Sequence, residues 1–216
     1  MHASAWRFPR TGTMFNLDPA TLGRSREFWG QCVLGFLVDY RIFKVDKLND
    51  LIRRKWKTRG RVTALKLGDI YAIHCESDDD REDLIKRTYS TFDGAMMIFT
   101  RWFPDSVPRT ICFPYADLWV RVCGLPFEYL NMEMANIAGH LLSQHFEVEP
   151  FEVIPVSDYI RVKVRIQLNE PLVPGFFLSM DGDYLLWIQF PYEDVFKYCI
   201  RCGKIGHIGA CCREIL

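Results

Sequence analysis

Four residues near the end of the chain constrain it most. Cys199, Cys202, His207 and Cys212 are spaced C-x2-C-x4-H-x4-C. Three thiolates and an imidazole suit a tetrahedral divalent ion, and zinc takes such ligands at roughly 2.3 Å for sulfur and roughly 2.0–2.1 Å for nitrogen. Two cysteines two residues apart can grip one ion from a tight turn. The second pair must return through a short bent loop, and Gly203 and Gly206 permit that bend because glycine tolerates positive φ. The set leaves no open coordination position, so it implies one structural Zn2+ and no metal-centred catalysis. Cys211 is an alternative fourth ligand, but it breaks the x4 spacing.

The totals exclude several classes. The chain has 216 residues, 49% of them hydrophobic, enough for one large or two small packed units. Its 27 Lys and Arg balance its 27 Asp and Glu, so binding to a polyanion has to come from local patches. The other four cysteines, Cys32, Cys75, Cys112 and Cys123, stand far apart in apolar runs. They read as buried free thiols, which implies an intracellular, reducing compartment, nucleus or cytoplasm. No apolar segment suits a signal peptide or a membrane span.

Periodicity then divides the chain. Residues 1–26 read as a flexible leader. Over 27–103 the expected order is β-α-β-β-α-β. Its parts are a strand at Cys32–Val38, a helix at about Lys44–Lys57, and strands at Val62–Leu67 and Ile70–Cys75 joined by Gly68-Asp69. A helix capped by Ser77 and a strand at Ala95–Phe103 complete it. This is the order of a ferredoxin-like or RRM-like α+β sandwich. RNA-recognition motifs stack bases on aromatics of the central strands, but Ile70 and Ala72 fall at those positions, so this unit reads as scaffold. The acidic run Asp78–Asp80 reads as a solvated helix start. A basic cluster from Arg53 to Arg61 surrounds Trp56 and is either a solvated helix end or a nucleic-acid contact.

Residues 104–117, with three prolines, read as a linker. A second α+β unit with a mainly antiparallel sheet spans 118–194. It has strands at Leu118–Val122, Phe151–Val156, Tyr159–Leu168 and Tyr184–Phe190. Asn131 caps a helix whose apolar face takes Met134, Ile137, Ala138, Leu141, Leu142 and His145. A loop at Pro171–Gly175 stands where a second helix would come. Tyr159–Leu168 alternates, with Arg161, Lys163 and Arg165 on one side. Joined by Trp119, they make an expected basic, aromatic nucleic-acid face. Residues 195–216 form the metal-binding tail.

The tail resembles the CCHC zinc knuckle of retroviral and retrotransposon Gag-type proteins. The segment Trp119-Val120-Arg121-Val122-Cys123-Gly124-Leu125-Pro126 resembles W-V-R-V-x-G-L-P of a plant family. That family joins a domain of unknown function to a terminal knuckle and is related to non-LTR retrotransposon proteins. Glu76-Ser77, Thr91-Phe92-Asp93-Gly94, Arg101-Trp102 and Tyr192-Glu193 fall in the same order as its motifs. The resemblance implies zinc binding, nucleic-acid binding and a retroelement-derived, Gag-like origin. In similar knuckles the residues after the first cysteine and after the histidine flank an unpaired base. Here these are Ile200 and Ile208, with Lys197, Arg201, Lys204 and Arg213 to meet phosphates.

The expected function is therefore zinc-dependent binding of single-stranded RNA or DNA. The alternative is a protein-interaction module in which zinc only orders the C-terminus. No P-loop, nucleophile elbow or paired-carboxylate motif is present, so an enzyme with a small-molecule substrate is not expected. Self-association is compatible with the sequence.

Overall fold

A computed structural model describes residues 15–181 and 184–212. The chain forms an α+β structure with two five-stranded antiparallel sheets, followed by the Cys/His cluster. Residues 1–14 of the expected leader lie outside the described residues. From Asp18, whose side chain accepts from the Ala20 N–H, the chain is already helical: a 3-10 turn at Pro19–Leu22, then α1 (Gly23–Gly30).

The first sheet contains β1 (Cys32–Val38), β2 (Val62–Leu67), β3 (Ile70–Cys75), β4 (Tyr89–Phe92) and β5 (Ala95–Arg101), in the order β2-β3-β1-β5-β4. Helices α2 (Val45–Lys55) and α3 (Asp78–Arg87) accompany it. The strand β4 is an addition to the expected order. It is a short edge strand that hairpins onto β5 through Asp93 and Gly94, both at positive φ as a tight hairpin turn requires. Period-2 alternation splits the sheet's residues between its faces. Val33, Ile73, Met97 and Phe99 meet Leu48, Ile52, Trp56 and Leu84 on the helix side. Cys32, Leu34, Ile70 and Ala72 face away, under Trp29 of α1, Trp102, Ile111 and Phe113. An open RRM-type surface is therefore closed here by apolar packing.

Two local expectations need correction. Ser77 occupies the α3 N-cap without a side-chain cap hydrogen bond. Asp78 and Asp79 are solvated, but Asp80 is buried and accepts from the Arg59 and Gly60 N–H groups, tying the preceding loop to the helix start. The Arg53–Arg61 cluster also disperses. Trp56 is core, its Nε1–H donating to Ser90, while Lys55 donates to Thr91 and Arg59 pairs with Asp79, Asp80 and Asp83.

The stretch 104–117 holds a 3-10 turn at Pro108–Thr110 and the first residues of the next strand. The second sheet comprises β6 (Tyr115–Cys123), β7 (Phe146–Val148), β8 (Tyr159–Gln167), β9 (Gly175–Ser179) and β10 (Leu185–Gln189), in the order β7-β8-β6-β10-β9. Numbered from the first strand of each, both sheets read 2-3-1-5-4. One topology is used twice, with helix α4 (Met132–Leu142) at the position of α2 and a loop in place of α3. The strand expected at Phe151–Val156 is irregular chain, and β7 lies just before it. The expected loop around Pro171–Gly175 runs directly into β9.

Asn131 caps α4, its Oδ1 accepting from the Met134 N–H at 2.9 Å. The helix buries Met134, Ala135, Ala138 and Gly139, while Ile137 and Leu141 are exposed. The buried strip is shifted toward the small residues because α4 approaches β7 closely. A Cβ on Gly139 would lie 2.3 Å from Phe146. The core under α4 takes Leu118, Val120, Val122, Ile160, Val162 and Ile188 from the second sheet. Tyr89, Met96 and Ile98 of the first sheet join it, so the two sheets share one core. Among the described residues no helix is long and apolar enough to cross a membrane.

Candidate metal centre

The tail after β10 first runs back along β6. Arg121 N–H donates to Pro191 O, Glu193 N–H donates to Trp119 O, and Tyr192 pairs with Val120. Tyr198 then pairs with Ile205, closing a small loop. Gly203 N–H donates to Cys199 O at 2.8 Å, and Cys199 N–H donates to Lys204 O at 2.9 Å. Gly203 at φ 74° and Gly206 at φ 94° make the two sharp bends.

This loop gathers the four expected ligands. One ligand atom each from Cys199, Cys202, His207 and Cys212 lie within 4.8 Å of one another. Cys202 Sγ is 3.4 Å from His207 Nε2. A tetrahedron with arms of roughly 2.0–2.3 Å has ligand–ligand edges of roughly 3.3–3.8 Å, so the cluster is close to the size a single ion requires. Cys211, the rival fourth ligand, is exposed and outside the cluster. Burial would push the Cys199 thiol up, but N–H groups of Cys202 and Arg201 outweigh it and leave the thiol lowered. Cys202 is pushed up, first by burial, with the neighbouring sulfurs of Cys199 and Cys212 adding to it. Adjacent thiolates repel one another, and a bound cation removes that conflict.

The loop is not a free appendage. Ile205 is 8% exposed and belongs to the core shared by the two sheets. A Cβ on Gly206 would meet Val38 Cγ1 at 2.9 Å, and one on Gly203 would meet Pro171 at 2.8 Å. Leu172 N–H donates to Gly203 O at 2.7 Å. Lys197 Nζ donates to Asp39 Oδ2 at 2.6 Å, with the Asp39 side chain fully buried. Lys197 also lies over the Tyr40 ring. Lys197 is thus an anchor between the loop and the end of β1, not a phosphate contact.

The outward side of the loop is different. Ile200 is 86% exposed and Ile208 is 46% exposed. A Cβ on Gly209 would lie 3.7 Å from both Ile200 Cγ1 and Arg201, so the segments after the first cysteine and after the histidine run side by side. Arg201 is exposed and Lys204 half-buried. Arg213 lies outside the described residues.

The second sheet brings Trp119, Arg161, Lys163 and Arg165 together on its outer face. Trp119 stands opposite Lys163, Arg121 opposite Arg161, and Asp117 opposite Arg165. Arg161 lies 4.2 Å over Trp119, Arg165 4.3 Å over Tyr115 and Arg121 4.8 Å over Tyr159. However, the guanidinium groups are already occupied. Glu193 takes Arg161 and Arg121, Glu149 takes Arg161, and Asp117 takes Arg165 in a two-pronged pair. Only Lys163 of the four cations has no ion-pair partner among the described residues. This is a neutral aromatic–guanidinium lattice, not a free basic patch.

Sequence reasoning did not find Asp39, Ile205, Glu193 or Glu149. A count by segment would have exposed the electrostatics. Residues 122–196 carry 11 acidic and three basic side chains, a net of −8 hidden inside the neutral total. Of the remaining cysteines, Cys32 and Cys75 are buried, and burial pushes them up to about 11 and about 12. Cys112, expected to be buried, is exposed, and Cys123 is half-buried.

Residues 25–110 match the family model described as "Domain of unknown function (DUF4283)". No curated protein and no solved structure matches the chain. The matched stretch is the first sheet with its helices, ending before β6 and the Cys/His loop.

Proposed function

We propose that this chain is a zinc-dependent binder of single-stranded RNA or DNA, Gag-like and of plant retroelement origin. One observation carries the binding role. The loop assembles a closed four-ligand centre while turning Ile200, Ile208 and Arg201 outward. Exposed isoleucines beside a metal loop are unfavourable unless something covers them, and among the described residues nothing does. The order of a DUF4283 match followed by a C-x2-C-x4-H-x4-C loop supports the origin. Zinc is the ion that three thiolates and one imidazole favour among common divalent metals. The neutral lattice on the second sheet contributes little, so the affinity rests on one small surface and is weak.

The docking of the loop favours a second reading, a protein-interaction module in which zinc orders the C-terminus. Salt separates the two. Titrating a short single-stranded oligonucleotide at several salt concentrations should give an affinity that falls with salt, at a slope of about −0.7 per phosphate contacted. No measurable binding at low salt would leave the interaction module as the better account.

A further inference from the structure

The charge halves and the shape of the second sheet point to a further surface. The last pair joining β10 to β6 in the sheet ladder is Gln189 with Cys123. Leu185 to Ile188 pair with β9 alone, so the β9–β10 hairpin projects beyond the end of β6. The loops 124–131 and 149–158 leave from the same end, because Cys123 pairs with Tyr159. This end is apolar and solvated at once. Phe127 is 90% exposed, Phe177 65% and Ile154 65%, and Phe177 packs against Trp187 with ring centroids 4.8 Å apart. Glu128, Glu152, Asp158 and Asp181 lie in the loops and hairpin of this end with no ion-pair partner among the described residues, while nearby Arg121 and Arg161 are taken by Glu193 and Glu149.

The complement lies on the same chain. Residues 1–121 carry 20 basic and 15 acidic side chains. Arg54 in the last turn of α2, and Lys57 and Arg61 beyond it, are exposed with no ion-pair partner among the described residues. The neighbouring edge strand β2 exposes Leu65 and Leu67. A protein with zero net charge but opposite halves has no overall repulsion to keep copies apart.

We propose that the acidic, apolar end of the second sheet docks the basic, apolar β2 edge of a second copy of this chain. Such a contact is head to tail, so each copy keeps one surface of each kind and longer chains can grow. It needs no nucleic acid.

Sedimentation velocity on the whole, metal-loaded chain without nucleic acid tests it. The sedimentation coefficient should rise with protein concentration up to about 100 μM. Raising salt from about 50 mM to about 500 mM should weaken the association several-fold. The pair Phe177→Ser with Trp187→Ser, and separately Arg54→Glu with Arg61→Glu, should each weaken it about 10-fold or more. Mixing the two double variants is the decisive arm. Each retains the surface the other lacks, so the mixture should recover one contact of parental strength and stop at a dimer. That recovery also shows both variants folded. A chain that stays monomeric at low salt, or a mixture that recovers nothing, would overturn the proposal.

Discussion

At the scale of single residues, the ion pair of Lys197 and Asp39 carries the most consequence. Arg41 donates to the same carboxylate at 3.0 Å. Burial would raise the Asp39 carboxyl, but the hydrogen bonds from Arg41 and Lys197 outweigh it and hold it below its ordinary range. A depressed carboxyl stabilises the fold above its ordinary pKa of about 4 and loses that contribution as pH falls through the depressed value. Acid unfolding of Asp39→Asn should therefore be less steep with pH than the parent's, as urea midpoints at stepped pH would show. Lys197→Met leaves a buried carboxylate with one partner fewer and should cost about 3 kcal/mol in urea unfolding. An unchanged midpoint would return Lys197 to the surface. The four ligands were legible in sequence because they lie within one short loop and their chemistry is unusual. Asp39 was not, because it stands 158 residues from Lys197 and nothing local marks it.

At the scale of elements, close approach decides the packing. Gly139 lets α4 reach β7, and Gly139→Ala should cost about 1–3 kcal/mol by forcing Phe146 aside, despite alanine's better helix propensity. Thermal unfolding with no loss of midpoint would show that Phe146 yields freely. Gly206→Ala is strained both by φ 94° and by Val38, and it should expose the Val38 and Asp39 amides to hydrogen exchange. Strands with clean alternation, such as β8, were readable because one face is buried and the other wet. The Phe151–Val156 run was misread because apolar residues exposed in a loop mimic a buried strand. The segment β9 was missed because prolines precede it and both of its faces are apolar. That the two sheets share one topology leaves no trace in sequence periodicity, since pairing order depends on distant contacts.

At the scale of the whole molecule, the metal loop fastens the shared core. The loop, and not only its own turn, should depend on the ion. Burying Ile205 is worth about 2 kcal/mol, so stripping the metal should lower the Tm by about 4–8 °C. A Tm unmoved by chelator, with metal loss confirmed by elemental analysis, would mean the loop stays docked without the ion.

The central claim is that the metal holds Ile200 outward as a base contact. The most direct test titrates a labelled single-stranded oligonucleotide with parent, Ile200→Ala and Ile200→Trp, with zinc content measured on each sample. The account predicts one zinc per chain in all three, weaker binding for Ile200→Ala, and tighter binding for Ile200→Trp by up to the 1–3 kcal/mol that aromatic stacking adds, about 5–150-fold. Equal affinities at equal zinc content would contradict it.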